Sequence, residues 1–304
     1  MIPLCFGKLS DNLCVLDLRN NTFHGTIPET FAKNNFRSLN LNGNQLEGPL
    51  PQSLVNCKHL DVLDLGNNKI NNTFPHWLGT LPNLRVLVLR SNRFHGPTEN
   101  PSTKVSFTNL RIINLDHNEF RGLLPEKYFN YLNAMMNANA NKGELKYIGD
   151  NYYHDSVMMI LKRLSIELVK IQNLFTTIDF SNNCFKGEIP KSIGKLKSLK
   201  GLNMLHNKLT GNMPLSLRNL TNLKWLDISS NNLTGEISGQ LVDLISLEVL
   251  SLLGNCLFGP IPQGYQFNTF SFDLNNGNLG LVDFHWQKLV AITKDNNHYH
   301  CQPS

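Results

Sequence analysis

The sequence predicts an α/β-type solenoid, a superhelix of short coils with a parallel β-sheet along its concave face. Three observations predict it: nine copies of Leu-x-x-Leu-x-Leu-x-x-Asn, a spacing close to 24 residues, and a recurring Leu-x-Gly-x-Ile-Pro second half. The units start at Leu13, Phe36, Leu60, Leu84 and Leu110, and again at Phe175, Leu199, Leu223 and Leu247. The asparagine that closes each is Asn21, Asn44, Asn68, Asn92, Asn118, Asn183, Asn207, Asn231 and Asn255, without exception.

Each part of the unit has a physical reason. The segment around Leu16-Asp17-Leu18 alternates with period two, the mark of a strand with one buried face. Its leucines point into the coil, but their burial alone falls short of the entropy of ordering a whole coil. Coils therefore need neighbours, which cover exposed edges and add ladder hydrogen bonds. The asparagine turns the chain off the strand, and its amide offers both donors and an acceptor to backbone groups. In the second half, glycine suits a tight bend, and proline ends the short pairing before it. Departures are Asn72 at the glycine place and Glu99 and Ser238 at the proline place.

Between Pro125 and Phe175 the repeat stops. The expected plan is 1–125 repeats (a partial unit and five full ones), 126–174 insertion, 175–262 four repeats, 263–281 C-terminal flank and 282–304 a tail of different character. Within the insertion, Asn133 to Asn141 reads as loop or weak helix. Ser156 to Leu161 and Leu164 to Val169 read as two strands around Lys162-Arg163. A two-residue hairpin prefers glycine or asparagine there, so the basic pair is expected to strain the turn. A long interruption inside a compact array marks a functional or disordered segment. Tyr152 and Tyr153 are candidate contacts, with packing onto the solenoid as the competing role.

The 24-residue unit resembles the plant-type extracellular leucine-rich repeat. Four passages resemble plant receptor-like proteins of the disease-resistance type, which include the leaf-mould and Verticillium-wilt resistance receptors. They are Ile2-Pro-Leu-Cys-Phe-Gly-Lys-Leu9; Val62 to Ile70 running on to Phe74-Pro-His-Trp-Leu-Gly79; Tyr152-Tyr-His-Asp-Ser-Val157 with Phe175 to Phe180; and Pro262 to Phe270 with Gly277-Asn-Leu-Gly-Leu281. The resemblance implies an island insertion followed by four repeats, glycosylation, a membrane helix, a location on the extracellular face of the plasma membrane, and signalling through a partner co-receptor kinase. The sequence departs at both ends. It begins within a repeat at Ile2-Pro3, and Val282 follows where the family continues to a cysteine cap. Truncation at both ends is the expectation.

Composition excludes several classes. The net charge is +5 over 304 residues, and no basic run exceeds Lys162-Arg163, so no nucleic-acid footprint is present. No stretch reaches the ~18 apolar residues of a membrane span, and the first residues lack the form of a signal peptide. Cys5, Cys14, Cys57, Cys184, Cys256 and Cys301 form no CxxC and are expected to be mostly reduced or inert. Kinase, α/β-hydrolase and zincin motifs are missing, and no cofactor is expected. Asp179 and Asp227 recur at one concave position through the repeat rather than as a catalytic pair. His298, His300, Cys301 and Asp295 superficially suggest metal ligands but sit in the divergent tail; no metal is expected.

Residues flanking the buried leucines face the concave surface. One column reads Asp17, Asn40, Asp64, Val88, Asn114, Asp179, Asn203, Asp227, Ser251, and is expected to be repeat architecture. Departures from column habit nominate ligand contacts: Arg19, Arg90 and Asp116 before the island, and Leu205, Trp225 and Leu253 after it. Sequons stand at Asn20, Asn71, Asn219 and Asn232, about the number that 42 asparagines yield by composition. The expected function is a non-catalytic recognition ectodomain for a peptide or protein ligand. The alternatives are a soluble inhibitor of microbial wall hydrolases, which would lack the island, and a truncated inactive product.

Overall fold

The computed structural model describes residues 1–3, 13–33, 35–98, 107–137, 147–150, 153–161, 164–264, 267–270 and 277–282. Nine three-residue strands form one parallel sheet in chain order: Val15–Asp17, Ser38–Asn40, Val62–Asp64, Val86–Val88, Ile112–Asn114, Thr177–Asp179, Gly201–Asn203, Trp225–Asp227 and Val249–Ser251. Their register is continuous, with Leu39 beside Leu63 and Leu226 beside Leu250. The insertion leaves no break, because Ile113 pairs directly with Ile178. These central residues belong to one core running the length of the array. Along that core the rings of Phe94, Phe120 and Phe185 stack at 6.0 and 6.2 Å, carrying the packing across the point where the island departs.

The corner after each strand explains the asparagine column. Asn207 Nδ2 donates to Phe180 O in the preceding coil at 3.0 Å and to Met204 O and Leu205 O in its own, while its Oδ1 accepts from Phe185 N at 3.0 Å. Asn44, Asn68, Asn92, Asn118, Asn183, Asn231 and Asn255 each donate to a carbonyl of the preceding coil. Asn21 is exposed and, among the described residues, bonds within its own coil, to Leu18 O and Arg19 O. The residue before each of these asparagines has left-handed backbone: Asn20, Gly43, Asn67, Ser91, His117, Asn182, His206, Ser230 and Gly254. Such φ values favour glycine and asparagine, so serine and histidine there are strained choices held by the packed corner.

A tenth corner lies beyond the nine repeats. Gly277 has φ of 81°, and Asn278 donates to Leu252 O at 2.8 Å and accepts from Leu257 N at 3.2 Å. Gly280–Val282 then pairs with Cys256–Pro260, so part of the expected flank continues the stack. The Gly-Asn pair, 23 residues after Gly254-Asn255, was the available signal.

On the flank, the second halves form two further parallel sheets of seven and three strands. Glycine is required there for space as well as φ. A Cβ on Gly211 would meet Glu188 Cγ at 2.8 Å, and one on Gly259 would meet Glu236 Cγ at 2.9 Å. The convex side consists of short 3-10 turns such as Gln52–Asn56, Lys191–Lys195 and Leu215–Asn219, each entered by a proline. Where Ser238 replaces proline, its Oγ accepts from Gln240 N and caps the turn. Residues 126–136, expected as the start of the island, serve the solenoid instead: Tyr128, Phe129, Leu132 and Met135 join the main core. Short helices span Glu126–Phe129 and Asn133–Met136, and Ser198 N donates to Met135 O. Among the described residues Cys57, Cys184 and Cys256 are free thiols, and burial pushes Cys57 up to about 11.

Candidate functional site: the concave face and the island

The island contributes an antiparallel hairpin, Val157–Leu161 with Leu164–Leu168, closed by the pair Leu161 and Leu164. Its turn, Lys162-Arg163, lies outside the described residues, as does the strain expected there. The hairpin lies on the concave sheet. Val157 and Met159 pack with Ile148 and Ile171 against Val62, Val86, Val88 and Ile112, a second apolar cluster on the inner surface. This explains why Val88 breaks the Asp/Asn habit of its column: it faces the island rather than water. Elsewhere in that column the carboxylate or amide oxygen accepts from the N–H two residues on, as in Asp64 to Gly66 and Asp227 to Ser229.

Polar groups fix the docking. Asp155, 2% exposed, accepts from Arg37 Nη1 at 2.7 Å and Ser38 Oγ at 2.5 Å. Arg37 also stands 3.9 Å from Asp61, which Arg85 engages through both Nε and Nη2. Arg85 Nη1 donates to Asn173 Oδ1 where the island rejoins the solenoid. Burial raises the Asp61 carboxyl, and the two arginines oppose that shift. The leucine and asparagine columns do not mark Arg37, Asp61, Arg85 or Asp155. The available signal was a run of charged residues, Arg37, Asp61, Arg85 and Arg111, at the position ahead of successive strands.

The nominated residues separate into two groups. Arg19 is engaged by the island, with Nη1 donating to Ser156 Oγ at 2.5 Å and Glu167 Oε1 at 3.2 Å. Tyr153 is half-buried and donates through its hydroxyl to Asp17 Oδ2 at 2.9 Å; burial, then Asp17, pushes its phenol up to about 12. Tyr152 lies outside the described residues. Arg90 is half-buried and its Nε has no acceptor among the described residues. Asp116 is fully buried, so it offers a ligand no surface. Its Oδ1 accepts from Asn182 Nδ2 at 2.9 Å and lies 2.8 Å from Ser181 Oγ, which also touches Asp179 Oδ1 at 2.5 Å. One hydroxyl proton cannot serve two carboxylates. Burial, followed by Asp116, accordingly pushes Asp179 up to about 7.

After the island the concave face is open in character. Leu205, Trp225 and Leu253 are half-buried, and Trp225 stacks on Phe175 with ring centroids 5.8 Å apart. The sequon asparagines Asn20, Asn71, Asn219 and Asn232 are all exposed. Among the described residues no helix is long and apolar enough to cross a membrane.

Two leucine-rich-repeat family models match the chain, one over residues 34–94 and one over 12–34, 109–130, 175–196 and 222–244. Receptor-like protein 43 of Arabidopsis thaliana is 46% identical over 201 residues, covering 66% of this chain and 28% of the relative. The chain belongs to the leucine-rich-repeat receptor-like proteins of plants. It spans less than a third of the length of that relative. Among solved structures, a plant ice-binding protein superposes with a TM-score of 0.69 at 25% identity, over 92% of this chain and 76% of the other. The Arabidopsis receptor kinase HAESA, in complex with the peptide hormone IDA and the co-receptor SERK1, superposes with a TM-score of 0.66 at 29% identity, over 92% of this chain and 43% of the other. The solenoid is therefore a fold shared with ligand-binding receptor ectodomains of plants.

Proposed function

We propose that this receptor-like chain is the recognition portion of a plasma-membrane receptor, and that its ligand, a peptide or protein, lies on the concave face after the island. One observation carries the reading. The island covers the inner surface of the early coils with its own apolar cluster, whereas Leu205 and Leu253 lie outside that cluster, and Trp225, packed at its edge, keeps part of its surface free. Half-exposed tryptophan and leucine on a rigid sheet fit the anchor role in binding interfaces. The face is extracellular, the exposed sequons carry sugar, and a co-receptor kinase meets the flank after the island. The HAESA complex supports this arrangement by likeness, since that protein holds a peptide and a co-receptor on the same kind of solenoid.

The test is panning of a random displayed-peptide library on the chain and on a Leu205→Glu/Leu253→Glu variant. Wild-type chain is expected to retain a defined set of peptides, and the variant, folded by circular dichroism, to lose them. Equal retention by both would move the site elsewhere.

A further inference from the structure

The residues just ahead of the concave strands form a line of their own along one edge of the sheet. Backbone bonds run from Asp61 N to Arg37 O, Arg85 N to Asp61 O, Arg111 N to Arg85 O, Thr177 N to Arg111 O, Lys200 N to Thr176 O, Lys224 N to Lys200 O and Glu248 N to Lys224 O. The side chains in that line therefore read Arg37, Asp61, Arg85, Arg111, Thr176, Lys200, Lys224, Glu248. Charge is compensated at both ends. Arg37 pairs with Asp155 and Asp61, Arg85 with Asp61, and Lys224 with Glu248 at 2.7 Å.

The middle is different. Arg111 and Lys200 make no side-chain hydrogen bond or ion pair with any described residue, and Arg111 Nη1 is buried without an acceptor. Burial lowers both their pKa values, helped by Arg85 beside Arg111, where Asp61 opposes the shift, and by Lys224 beside Lys200. A buried guanidinium nitrogen without a partner is costly, and an anion meeting the partly exposed remainder of the Arg111 side chain would offset that cost. Between the two cations stands Thr176, fully buried, with its hydroxyl turned to Ser198 O at 2.5 Å. Two rungs of a parallel sheet separate the flanking backbones by about 10 Å, a gap that long side chains can close around one carboxylate. The stacked rings of Phe175 and Trp225 belong to the residues that adjoin Thr176 and Lys224 in sequence.

We propose that Arg111 and Lys200 form a carboxylate-binding site at the rim of the concave face, where they hold an acidic side chain or the chain end of a bound peptide. The inference rests on the recognition reading above and names the ligand chemistry for it. Guanidinium binds carboxylate through two parallel N–H donors, and the ammonium completes the charge.

The experiment uses the 304-residue chain and three fluorescein-labelled probes: hexaglutamate and hexaglutamine with amidated ends, and hexaglutamine with a free C-terminal carboxylate. Anisotropy is read in low salt and again at physiological salt. Hexaglutamate or the free acid is expected to bind more tightly than amidated hexaglutamine, and the free acid alone would identify a chain-end site. Arg111→Gln/Lys200→Gln should weaken the preferred acid probe about tenfold or more, while Lys186→Gln on the flank together with Lys191→Gln on the convex side should not. If the double variant melts early, Lys200→Gln alone carries the test, with a weaker but salt-dependent loss. No preference for either acid probe, or unchanged affinity in a folded variant, overturns the site. Peptides retained from the random library without enrichment in acidic residues or free chain ends would sink this inference alone; a library that yields none would sink the recognition reading with it.

Discussion

The indole of Trp225 lies across Gly201, occupying the space where any other residue would carry its side chain. A Cβ on Gly201 would come within 1.9 Å of the indole carbons. The two residues are register partners on adjacent strands, and Trp225 leans over its neighbour to reach Phe175. The glycine in the first concave column is thus the seat of the tryptophan.

Gly201→Ala should displace the indole and cost about 1–3 kcal/mol through overpacking. Trp225→Ala in the same chain should remove most of that cost, giving a coupling of about 0.5–3 kcal/mol in a double-mutant cycle. Thermal melts of the four proteins check it. Additive effects would mean the two side-chain positions are independent.

Asp155→Ala should loosen the island. It removes the acceptor of Arg37 and Ser38 from a buried position, a loss of about 3 kcal/mol for a pair of this kind. Hydrogen exchange at Met159 and Ile166 should accelerate, while Leu202 and Leu226 in the main core keep their protection. Uniform acceleration would show that island and solenoid open together.

Stability should fall as pH rises from about 4 toward 7. Asp179 is raised in the folded state to about 7 from an ordinary 3.8, so the native protein holds its proton more firmly than the unfolded chain. That contribution is complete below about pH 4, declines as the pH climbs toward 7, and is spent above it. Asp61 and Asp64 are shifted in the same direction by burial. Denaturant midpoints from pH 4.5 to 8 should therefore decline, and Asp179→Asn should flatten the curve. A midpoint that rises across this window in the wild type contradicts the assignment.

Asn207→Ala should destabilise by about 1–3 kcal/mol, because three carbonyls and the Phe185 N–H lose a buried partner. Asn207→Asp should do no better, since a carboxylate keeps the acceptor but brings no donor to those carbonyls. Urea melts of both variants provide the measurement, and a harmless Asn207→Asp would show that the donors matter little.

Much of the fold was legible because the repeat places the same chemistry at the same angle. Leucines buried every second residue, asparagine at the corner and glycine on the flank are local requirements, repeated until periodicity exposes them. Asn278 was missed because the leucine pattern fades before it, although its Gly-Asn corner is intact. The island was harder. Residues 126–136 carry no repeat signature, yet Tyr128, Phe129 and Met135 fill the space that leucines fill elsewhere. At the site, deviation from column habit singled out Trp225 but also Asp116, because a column shows which way a side chain points and not what covers it. Arg37, Ser38 and Asp155 meet across sequence separations that no local pattern encodes.

The proposed arrangement has the island on the early concave face and the ligand on the coils behind it. Hydrogen exchange of the chain, with and without a peptide selected from the displayed library, tests this most directly. New protection should fall on residues 199–207, 223–231 and 247–255, with the hairpin Val157–Leu161 unchanged or further slowed. Protection on residues 60–92 together with faster exchange in the hairpin would mean that the ligand displaces the island, contrary to the account.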